Sequence, residues 1–322
     1  MKAVLYPFAL PDPTEKLAQD FPALDWVAVA SPGELDRVLP EADILLLSNR
    51  TCTPETGAAL RKHQAGKLRW IHFTSAGLER GIEMGLPTHL PITTSAGAKA
   101  PVIAEHAMTL LLAMMRRLPE LRRAQTGHRW IRQEINRRMA SLEGATVAVI
   151  GLGAVGGALT RRLKAFDARV IGVSRARTDV PVDRLFAREA LGEALALADA
   201  AIVTTNADAS SFHLIGRAEL AAMKPGGVIV NVARGAIIDE AALLEALASG
   251  RLAGAGLDVV ETEPLPADSP LWDLPNLLIT PHVAGGGATG YSRLREIFGE
   301  NLRRLGTGEA LLNLYRPAAA AG

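Results

Sequence analysis

The chain has 322 residues, which is long enough for two domains. Hydrophobic residues make up 48% and charged residues 21%, so the chain can bury a large core and is not a disordered protein. The net charge of +1 gives no general attraction for nucleic acid or an anionic membrane. Cys52 is the only cysteine, which excludes an intrachain disulfide and fits a reducing compartment.

The N-terminal segment does not look like a targeting signal. Residues 1–10 contain one lysine and a short apolar run that Pro7 interrupts, a pattern typical of a first strand and its turn. The longest apolar runs, such as residues 110–115, are too short to span a bilayer. We therefore predict a cytoplasmic protein with no membrane partner.

Residues 1–95 alternate short apolar strands with helices, which predicts a small α/β domain. The predicted strands are residues 3–6, 26–30, 44–47, 70–73 and 92–94, and the predicted helices are residues 13–18, 32–39 and 55–63. A loop of small residues, Thr74 to Leu78, lies between the last two strands. Its backbone N–H groups could hold a carboxylate, although such a loop alone is more often an ordinary turn.

A nearly all-apolar stretch at residues 102–115 predicts a buried helix that links two lobes. The following segment, residues 116–138, contains eight arginines and two glutamates around Trp130 and Ile131. Because the overall charge is balanced, we interpret this segment as an arm whose arginines are solvated or packed on a second subunit. A nucleic-acid surface is the less favoured alternative, and we expect no nucleic-acid partner.

A glycine motif lies at the centre of the chain. An apolar strand at residues 147–150 leads into Gly151, Gly153 and Gly156, and a helix and a second strand follow by residue 173. In this G-x-G-x-x-G spacing the first glycine permits a tight turn. The second lets backbone N–H groups approach a pyrophosphate, and the third lets the helix pack closely on the sheet. The βαβ order predicts a dinucleotide site, with a purely structural turn as the alternative.

The end of the second strand indicates which dinucleotide binds. An NAD site usually has a carboxylate there, but this chain has Ser174, Arg175 and Arg177, and no carboxylate before Asp179. A hydroxyl followed by guanidinium groups suits a 2′-phosphate. We predict NADP as the preferred cofactor, with NAD as the second choice. The alternative is that both arginines are solvated loop residues.

Strands and helices continue to alternate after the glycine motif, which predicts a parallel, doubly wound sheet with ligands at the carboxyl ends of its strands. Strands are predicted at residues 200–205, 228–231, 256–259 and 277–279, and helices at residues 218–223, 239–249 and 291–305. Arg234, Glu263 and His282 each follow one of these strands, so we expect them to open on the same crevice as Gly151. An arginine, a carboxylate and a histidine beside a nicotinamide are the groups needed to reduce a 2-oxo acid.

Several motifs resemble the D-isomer-specific 2-hydroxyacid dehydrogenase family, nearest its NADPH-preferring glyoxylate/hydroxypyruvate reductases. The matching motifs are GLGAVG (151–156), NVARG (231–235), GLDVVETEPLP (256–266), SPLWDLPNLLITPHVAG (269–285), LRWIHFTSAGLERG (68–81) and APVIAEHAMTLLLAMMR (100–116). They cover most of the chain, and their order is highly specific. The sequence departs at Thr205 to Asp208, beside the expected adenosine, where the family commonly has a Pro-Leu-Thr run.

The resemblance implies an α/β enzyme of two lobes, with a Rossmann doubly wound parallel sheet inserted into a smaller flavodoxin-like α/β lobe. We expect the substrate-binding lobe at residues 1–98 plus 287–322 and the dinucleotide-binding lobe at residues 99–286. The resemblance also implies a homodimer built around the linking helix and a dimerisation arm at about residues 116–140.

The resemblance assigns substrate contacts by position. Arg234 is expected to pair with the carboxylate and carbonyl oxygen of the substrate, which orients the carbonyl carbon for hydride. The backbone of Ser75, Ala76 and Gly77 is expected to hold the other carboxylate oxygen. The implied substrate is a small 2-oxo acid, with glyoxylate and hydroxypyruvate first, and bulkier 2-oxo acids remain an alternative.

The resemblance also assigns the catalytic groups. His282 is the expected acid in reduction and the expected base in the reverse direction. Glu263 is expected to hydrogen-bond its ring, fix the tautomer and favour the imidazolium near neutral pH. Asp258 is expected to face the carboxamide side of the nicotinamide pocket.

The expected cofactor contacts extend over the whole second lobe, and no metal site is expected. They are Gly151, Gly153, Ala154, Val155, Gly156, Ser174, Arg175, Arg177, Asn206, Val232, Ala233, Asp258 and His282.

Other members of the superfamily provide competing interpretations. Formate dehydrogenases carry Gln at the position of Glu263, which disfavours that activity here. Phosphoglycerate dehydrogenases often append a regulatory domain, which a chain that ends at Gly322 is not expected to contain. A dinucleotide-sensing corepressor on the same scaffold is the alternative from another functional class, since a fold alone does not assign an activity.

Overall fold

The computed structural model of the chain describes residues 1–6, 15–175, 178–286 and 289–315. The chain folds into two compact units. The first unit is Met1–Lys99 with Gly287–Gly322, and the second unit is Ala100–Gly286. Each unit contains one parallel sheet with connecting helices, of five strands in the first and seven in the second. The fold is therefore α/β, as predicted.

Nine α-helices and β-strands, apart from short 3-10 turns, follow one another in the described residues from the start of the first unit to residue 94. They are β1 (Lys2–Tyr6), α1 (Glu15–Asp20), β2 (Asp25–Ala28), α2 (Pro32–Val38), β3 (Ile44–Leu47), α3 (Pro54–Lys62), β4 (Trp70–Phe73), α4 (Glu79–Glu83) and β5 (Ile92–Thr94). The strand order is β2-β1-β3-β4-β5. All five predicted strands are present. The predicted helix at residues 13–18 begins outside the described residues. Within them, the structure gives α1 from Glu15 to Asp20.

In the described part of the second unit there are fourteen further α-helices and β-strands, apart from short 3-10 turns. They are α5 (Ala100–Met115), α6 (Leu118–Thr126), α7 (Arg132–Asn136), β6 (Thr146–Ile150), α8 (Ala154–Ala165), β7 (Arg169–Val173), β8 (Arg184–Phe186), α9 (Leu191–Leu197), β9 (Ala200–Val203), α10 (Arg217–Ala222), β10 (Gly227–Asn231), α11 (Glu240–Ala248), β11 (Leu252–Leu257) and β12 (Leu277–Ile279). The strand order is β12-β11-β10-β9-β6-β7-β8. The short strand β8 and the arm helices α6 and α7 were not predicted, because their sequences lack a continuous apolar pattern.

The register of the seven-stranded sheet aligns the carboxyl ends of its central strands. Ile150 pairs with Val203, Val203 with Asn231, Asn231 with Leu257, and Leu257 with Ile279. The residues that follow these positions therefore emerge along one edge of the sheet. The strand order reverses beside β6, and such a switch point is where open α/β sheets bind ligands.

Helix α5 packs on β10 and β11 at short distance because β11 has glycines on the facing side. A Cβ at Gly256 would lie 2.9 Å from Cβ of Leu110, and a Cβ at Gly254 would lie 2.4 Å from Cε of Met114. Side chains at these positions would push the helix away from the sheet. This close packing places His106, one turn before Leu110, over the end of β12.

The last helix, α12 (Thr289–Thr307), belongs to the first unit. Its Phe298 is fully buried and stacks on Trp70 of β4, with ring centroids 5.2 Å apart. Phe21 contacts the ring of Phe298 edge-on, with ring centroids also 5.2 Å apart. No described helix is long and apolar enough to cross a membrane.

Candidate active site

The three glycines of the loop after β6 differ in what a side chain at each position would meet. Gly151 has a φ of +100°, and a Cβ there would lie 2.6 Å from the backbone nitrogen of Thr205. At Gly156 a Cβ would lie 2.1 Å from the carbonyl oxygen of Gly151, so only glycine lets α8 approach the loop this closely. Gly153 is exposed, and among the described residues no atom lies within 4 Å of the position of its Cβ.

The start of α8 fits the pyrophosphate of a dinucleotide. The helix is 12 residues long and begins at Ala154, which is exposed, while Val155 is half-buried. Its first backbone N–H groups therefore face open space beside Gly153, where an anion gains from the partial positive charge of the helix terminus. Thr204 stabilises the loop, since its hydroxyl donates to the carbonyl of Gly151 at 2.7 Å.

The end of β7 carries the residues predicted to bind the adenosine ribose. Ser174 is half-buried and Arg175 is exposed, and Asn206 is exposed on the loop after β9. Nη1 of Arg175 lies 2.8 Å from Oδ2 of Asp208 on the same loop. Arg177 lies outside the described residues.

The motif NVARG after β10 is held by its own asparagine and glycine. Asn231 is buried; its Oδ1 accepts from the backbone nitrogen of Ala233 at 3.0 Å, and its Nδ2 donates to the carbonyl of Arg234 at 2.9 Å. A Cβ at Gly235 would lie 1.9 Å from the carbonyl carbon of Val260, so the turn lies directly against the end of β11. These contacts fix the half-buried Arg234 at the functional edge of the sheet.

His282 and Glu263 form the closest pair among the predicted catalytic residues. Nδ1 of His282 lies 2.7 Å from Oε2 of Glu263, and both side chains are about one-third exposed, at 37% and 36%. Oε1 of Glu263 accepts from the backbone nitrogen of Val260 at 3.4 Å. His282 has a φ of +54°, and its backbone nitrogen donates to the carbonyl of Asp258 at 2.8 Å.

The carboxylate of Asp258 organises the turn that carries His282. It is almost fully buried and accepts from the hydroxyl of Thr280 at 2.6 Å and from the backbone nitrogens of Val283 and Ala284, each at 2.9 Å. Nε2 of His106 lies 2.8 Å from the Thr280 hydroxyl and 3.4 Å from Oδ1 of Asp258. Because the Thr280 hydroxyl donates to Asp258, it accepts from His106, and so Nε2 of His106 carries a hydrogen.

A reciprocal pair of glutamates fixes the segment that leads to Glu263. Oε1 of Glu261 accepts from the backbone nitrogen of Glu240 at 3.1 Å, and Oε1 of Glu240 accepts from the backbone nitrogen of Glu261 at 2.6 Å. Nε2 of His213 lies 3.0 Å from Oε1 of Glu261. Burial raises the pKa of Glu240 above its ordinary value, because desolvation disfavours the charged form.

In the first unit, the loop after β4 is held by side chains from the loop after β3. The Ser75 hydroxyl donates to the carbonyl of Gly77 at 2.7 Å and accepts from the backbone nitrogen of Asn49 at 3.1 Å. Oδ1 of Asn49 accepts from the backbone nitrogen of Arg80 at 3.0 Å. The Ser75 hydroxyl is therefore engaged within the loop, while Ala76 at its tip is exposed.

The structure thus places the described members of the predicted set in the second unit on one sheet edge and shows direct contact between Glu263 and His282. Val232 and Ala233 are buried beside them. No role was predicted for His106, Thr280 or Asn231, although polar residues beside buried strand ends are a usable signal. Among the described residues, no group of three or more His, Cys, Asp or Glu could hold a metal ion.

Comparison with known proteins identifies the family. The family described as D-isomer specific 2-hydroxyacid dehydrogenase, NAD binding domain, matches residues 108–284. The D-3-phosphoglycerate dehydrogenase of Mycobacterium bovis is 33% identical over 290 residues, which are 88% of this chain and 53% of that protein. The chain therefore spans about half the length of the mycobacterial relatives that it matches.

Two further relatives are matched over most of their length. The glyoxylate reductase of Korarchaeum cryptofilum is 33% identical over 263 residues, which are 78% of this chain and 76% of that protein. A crystal structure of a D-isomer specific 2-hydroxyacid dehydrogenase from Xanthobacter autotrophicus Py2, in complex with NADPH and MES, is 28% identical with a TM-score of 0.81, and the match covers 98% of both chains. The chain belongs to the D-isomer specific 2-hydroxyacid dehydrogenase family.

Proposed function

We propose that the chain is an NAD(P)-dependent dehydrogenase that reduces a small 2-oxo acid, glyoxylate or hydroxypyruvate, to the D-2-hydroxy acid. The proposal rests on the 2.7 Å contact between His282 and Glu263, which lie at the same edge of the sheet as the glycine loop. A histidine backed by a carboxylate can donate a proton in one direction and accept it in the other. Membership of the family and the similarity to a glyoxylate reductase support this activity.

His282 is the proposed acid of the reduction. A bound nicotinamide supplies the hydride that the carbonyl carbon receives. Because Glu263 occupies Nδ1, the other ring nitrogen, Nε2, is the atom that gives a proton to the carbonyl oxygen and takes it back in oxidation. The left-handed turn at His282, fixed by Asp258, sets the direction of the ring.

Arg234 is the proposed partner of the substrate carboxylate. Its guanidinium can donate two parallel hydrogen bonds to a carboxylate, or one to the carboxylate and one to the carbonyl oxygen. Asn231 and Gly235 fix its backbone, so the main chain that carries the guanidinium is in place before substrate binds. We also propose that the backbone of Ser75, Ala76 and Gly77 holds a carboxylate oxygen, in keeping with the family resemblance.

The second unit is proposed to prefer NADPH over NADH. Ser174 and Arg175 stand where an NAD site usually has a carboxylate, and the match to a structure in complex with NADPH supports this choice. Arg177 remains a predicted contact. Two charge-assisted contacts of about 1.5 kcal/mol each correspond to a preference of about 100-fold.

A spectrophotometric screen of the full chain tests the proposal. Glyoxylate, hydroxypyruvate, 3-phosphohydroxypyruvate, pyruvate and phenylpyruvate are each offered with NADPH and with NADH, and kcat/KM is compared. We expect the highest values with glyoxylate or hydroxypyruvate and NADPH. Preference for 3-phosphohydroxypyruvate would favour the activity of the mycobacterial relatives, and coenzyme binding with no turnover of any acid would favour a corepressor-like binding protein.

The arm of the second unit is proposed to mediate homodimerisation. Trp130 is 93% exposed and Leu118 is 51% exposed, which is unusual for large apolar side chains on the surface of a monomer. They lie beside a groove lined by Arg117, Arg123 and Arg138. Light scattering should give the mass of a dimer for the native chain and a lower mass at the same concentration for Trp130→Glu.

A further inference from the structure

Two arginine side chains from different elements meet at Ser210, on the loop that follows β9. Arg175 comes from the end of β7, and Arg188 comes from the turn before α9. Nη1 of Arg188 lies 2.9 Å and Nη1 of Arg175 lies 3.4 Å from Oγ of Ser210, and Nη2 of Arg188 also donates to the Ser210 carbonyl. A shared partner thus brings two guanidinium groups together despite their like charge.

Asp208 adds a negative charge to this cluster. Its Oδ2 lies 2.8 Å from Nη1 of Arg175, and its Oδ1 accepts from the Ser210 hydroxyl at 2.5 Å. The Ser210 hydroxyl first, and Arg175 second, lower the pKa of Asp208 below its ordinary value, so the carboxylate is ionised at neutral pH. Arg175, Arg188 and Asp208 together therefore carry one positive charge in excess.

We propose that Arg188 is a further specificity-determining cation for the 2′-phosphate of NADPH, and that Asp208 limits the preference for NADPH by holding Arg175. The inference rests on the proposed NADPH preference and adds two residues to its site. A phosphate that binds Arg175 must displace Asp208 or lie beside its negative charge, and both courses weaken its binding.

Asp208 also gives NADH a partner at the same place. NADH has a free 2′-hydroxyl, which can donate to a carboxylate as it does in NAD sites that carry an acidic residue. The Asp208 carboxylate therefore weakens the binding of NADPH and strengthens the binding of NADH. The protein is consequently expected to use NADH at a measurable rate while it prefers NADPH.

Three variants test this division of roles. Arg188→Ala should lower kcat/KM for NADPH about tenfold and leave the value for NADH unchanged. Asp208→Asn should raise the NADPH/NADH ratio of kcat/KM about tenfold, and asparagine preserves the cap that Asp208 gives to the following turn. Arg184→Ala is the matched control, because it removes an arginine of β8 that lies over the ring of Phe186, and it should leave the ratio unchanged.

A binding measurement separates this inference from the proposed activity. Calorimetry with adenosine 2′,5′-bisphosphate and with 5′-AMP reports the phosphate site without turnover. We expect Arg188→Ala to weaken the bisphosphate about tenfold and to leave 5′-AMP unaffected. Asp208→Asn should strengthen the bisphosphate and weaken 5′-AMP, because 5′-AMP keeps the free 2′-hydroxyl that Asp208 accepts from. If the native chain oxidises NADPH but Arg188→Ala behaves like Arg184→Ala, the inference is wrong and the proposed function stands. If the native chain binds neither NADPH nor the bisphosphate, this inference and the proposed NADPH preference both fail, while reduction with NADH would leave the proposed activity in place.

Discussion

The carboxylate of Glu263 lies 2.7 Å from Nδ1 of His282. Because an ionised carboxylate only accepts hydrogen bonds, this contact places a hydrogen on Nδ1. Nε2 then carries a second hydrogen in the imidazolium and a lone pair in the neutral ring. The two residues follow adjacent strands, β11 and β12, so the sheet register brings them together. The acid–base pair is thus a consequence of strand order.

Glu263→Gln tests the contribution of that carboxylate. The neutral amide still accepts from Nδ1, but it forms a weaker hydrogen bond because it carries no negative charge, so kcat for 2-oxo acid reduction should fall about tenfold. Initial rates at saturating coenzyme and acid measure kcat. Glu193→Gln, at an exposed position of α9, is the control and should keep the native kcat. A native kcat in Glu263→Gln would count against the pairing.

His106 is predicted to act through Thr280 and Asp258 on the turn of His282. Removing its hydrogen bond with His106→Phe should lower kcat about tenfold, the equivalent of one hydrogen bond, with little change in KM for coenzyme. His106→Gln keeps a donor and should recover part of the loss. Equal kcat values in the Phe and Gln variants would show that the hydrogen bond has no positioning role.

The glycine loop predicts opposite results for two neighbouring substitutions. Gly156→Ala forces a Cβ to within 2.1 Å of the Gly151 carbonyl, so it should lower the free energy of unfolding by more than about 2 kcal/mol. Gly153→Ala has open space and should keep the fold, but its methyl group should weaken NADPH binding by tenfold or more.

Gly192→Ala is the matched control for both substitutions. Gly192 lies in α9, and among the described residues no atom lies within 4 Å of its Cβ position. Alanine there should keep NADPH binding and add about 0.5–1 kcal/mol to stability. Urea unfolding and a fluorescence titration with NADPH measure both properties, and undiminished NADPH affinity in Gly153→Ala would contradict the assignment of the loop.

His72 predicts how acid affects stability. It is fully buried between the hydroxyls of Thr93 and Ser95, and burial lowers its pKa to about 3. The ordinary pKa of a histidine is about 6.5, so below that pH His72 binds a proton in the unfolded chain but not in the native chain. This contribution to stability is complete above pH 6.5 and should fall by about 1.4 kcal/mol per pH unit toward pH 3.

The measurement for His72 is urea unfolding at pH 7, 6 and 5 for the native chain and for His72→Gln. Glutamine can bond with the same hydroxyls but does not titrate, so its unfolding free energy should depend less on pH. Equal slopes for the two proteins would show that His72 does not titrate on unfolding.

The sequence located Arg234, Glu263 and His282 because each follows a buried apolar strand, and parallel strands end at one edge. It did not indicate the contact between His106 and Thr280. Those residues are 174 positions apart, and their contact depends on how closely α5 packs on β11. Contacts of this kind come from tertiary packing, which strand and helix patterns do not specify.

The ribose end of the predicted site shows the same limit. Ser174 and Arg175 follow β7 directly, so the strand pattern identified them. Arg188 follows the short strand β8, which the pattern did not predict, and it reaches Ser210 from a different turn. A residue that joins a site from an unpredicted element carries no local sequence signal.

Turnover by His282→Asn shows whether His282 transfers the proton. Asparagine tolerates the left-handed backbone at this position, so the turn is kept while the acid is removed. With the acid that the native chain reduces fastest, kcat should fall by about 10²–10⁴, while NADPH still binds. A His282→Asn protein that binds NADPH and turns over at the native rate would show that His282 does not transfer the proton.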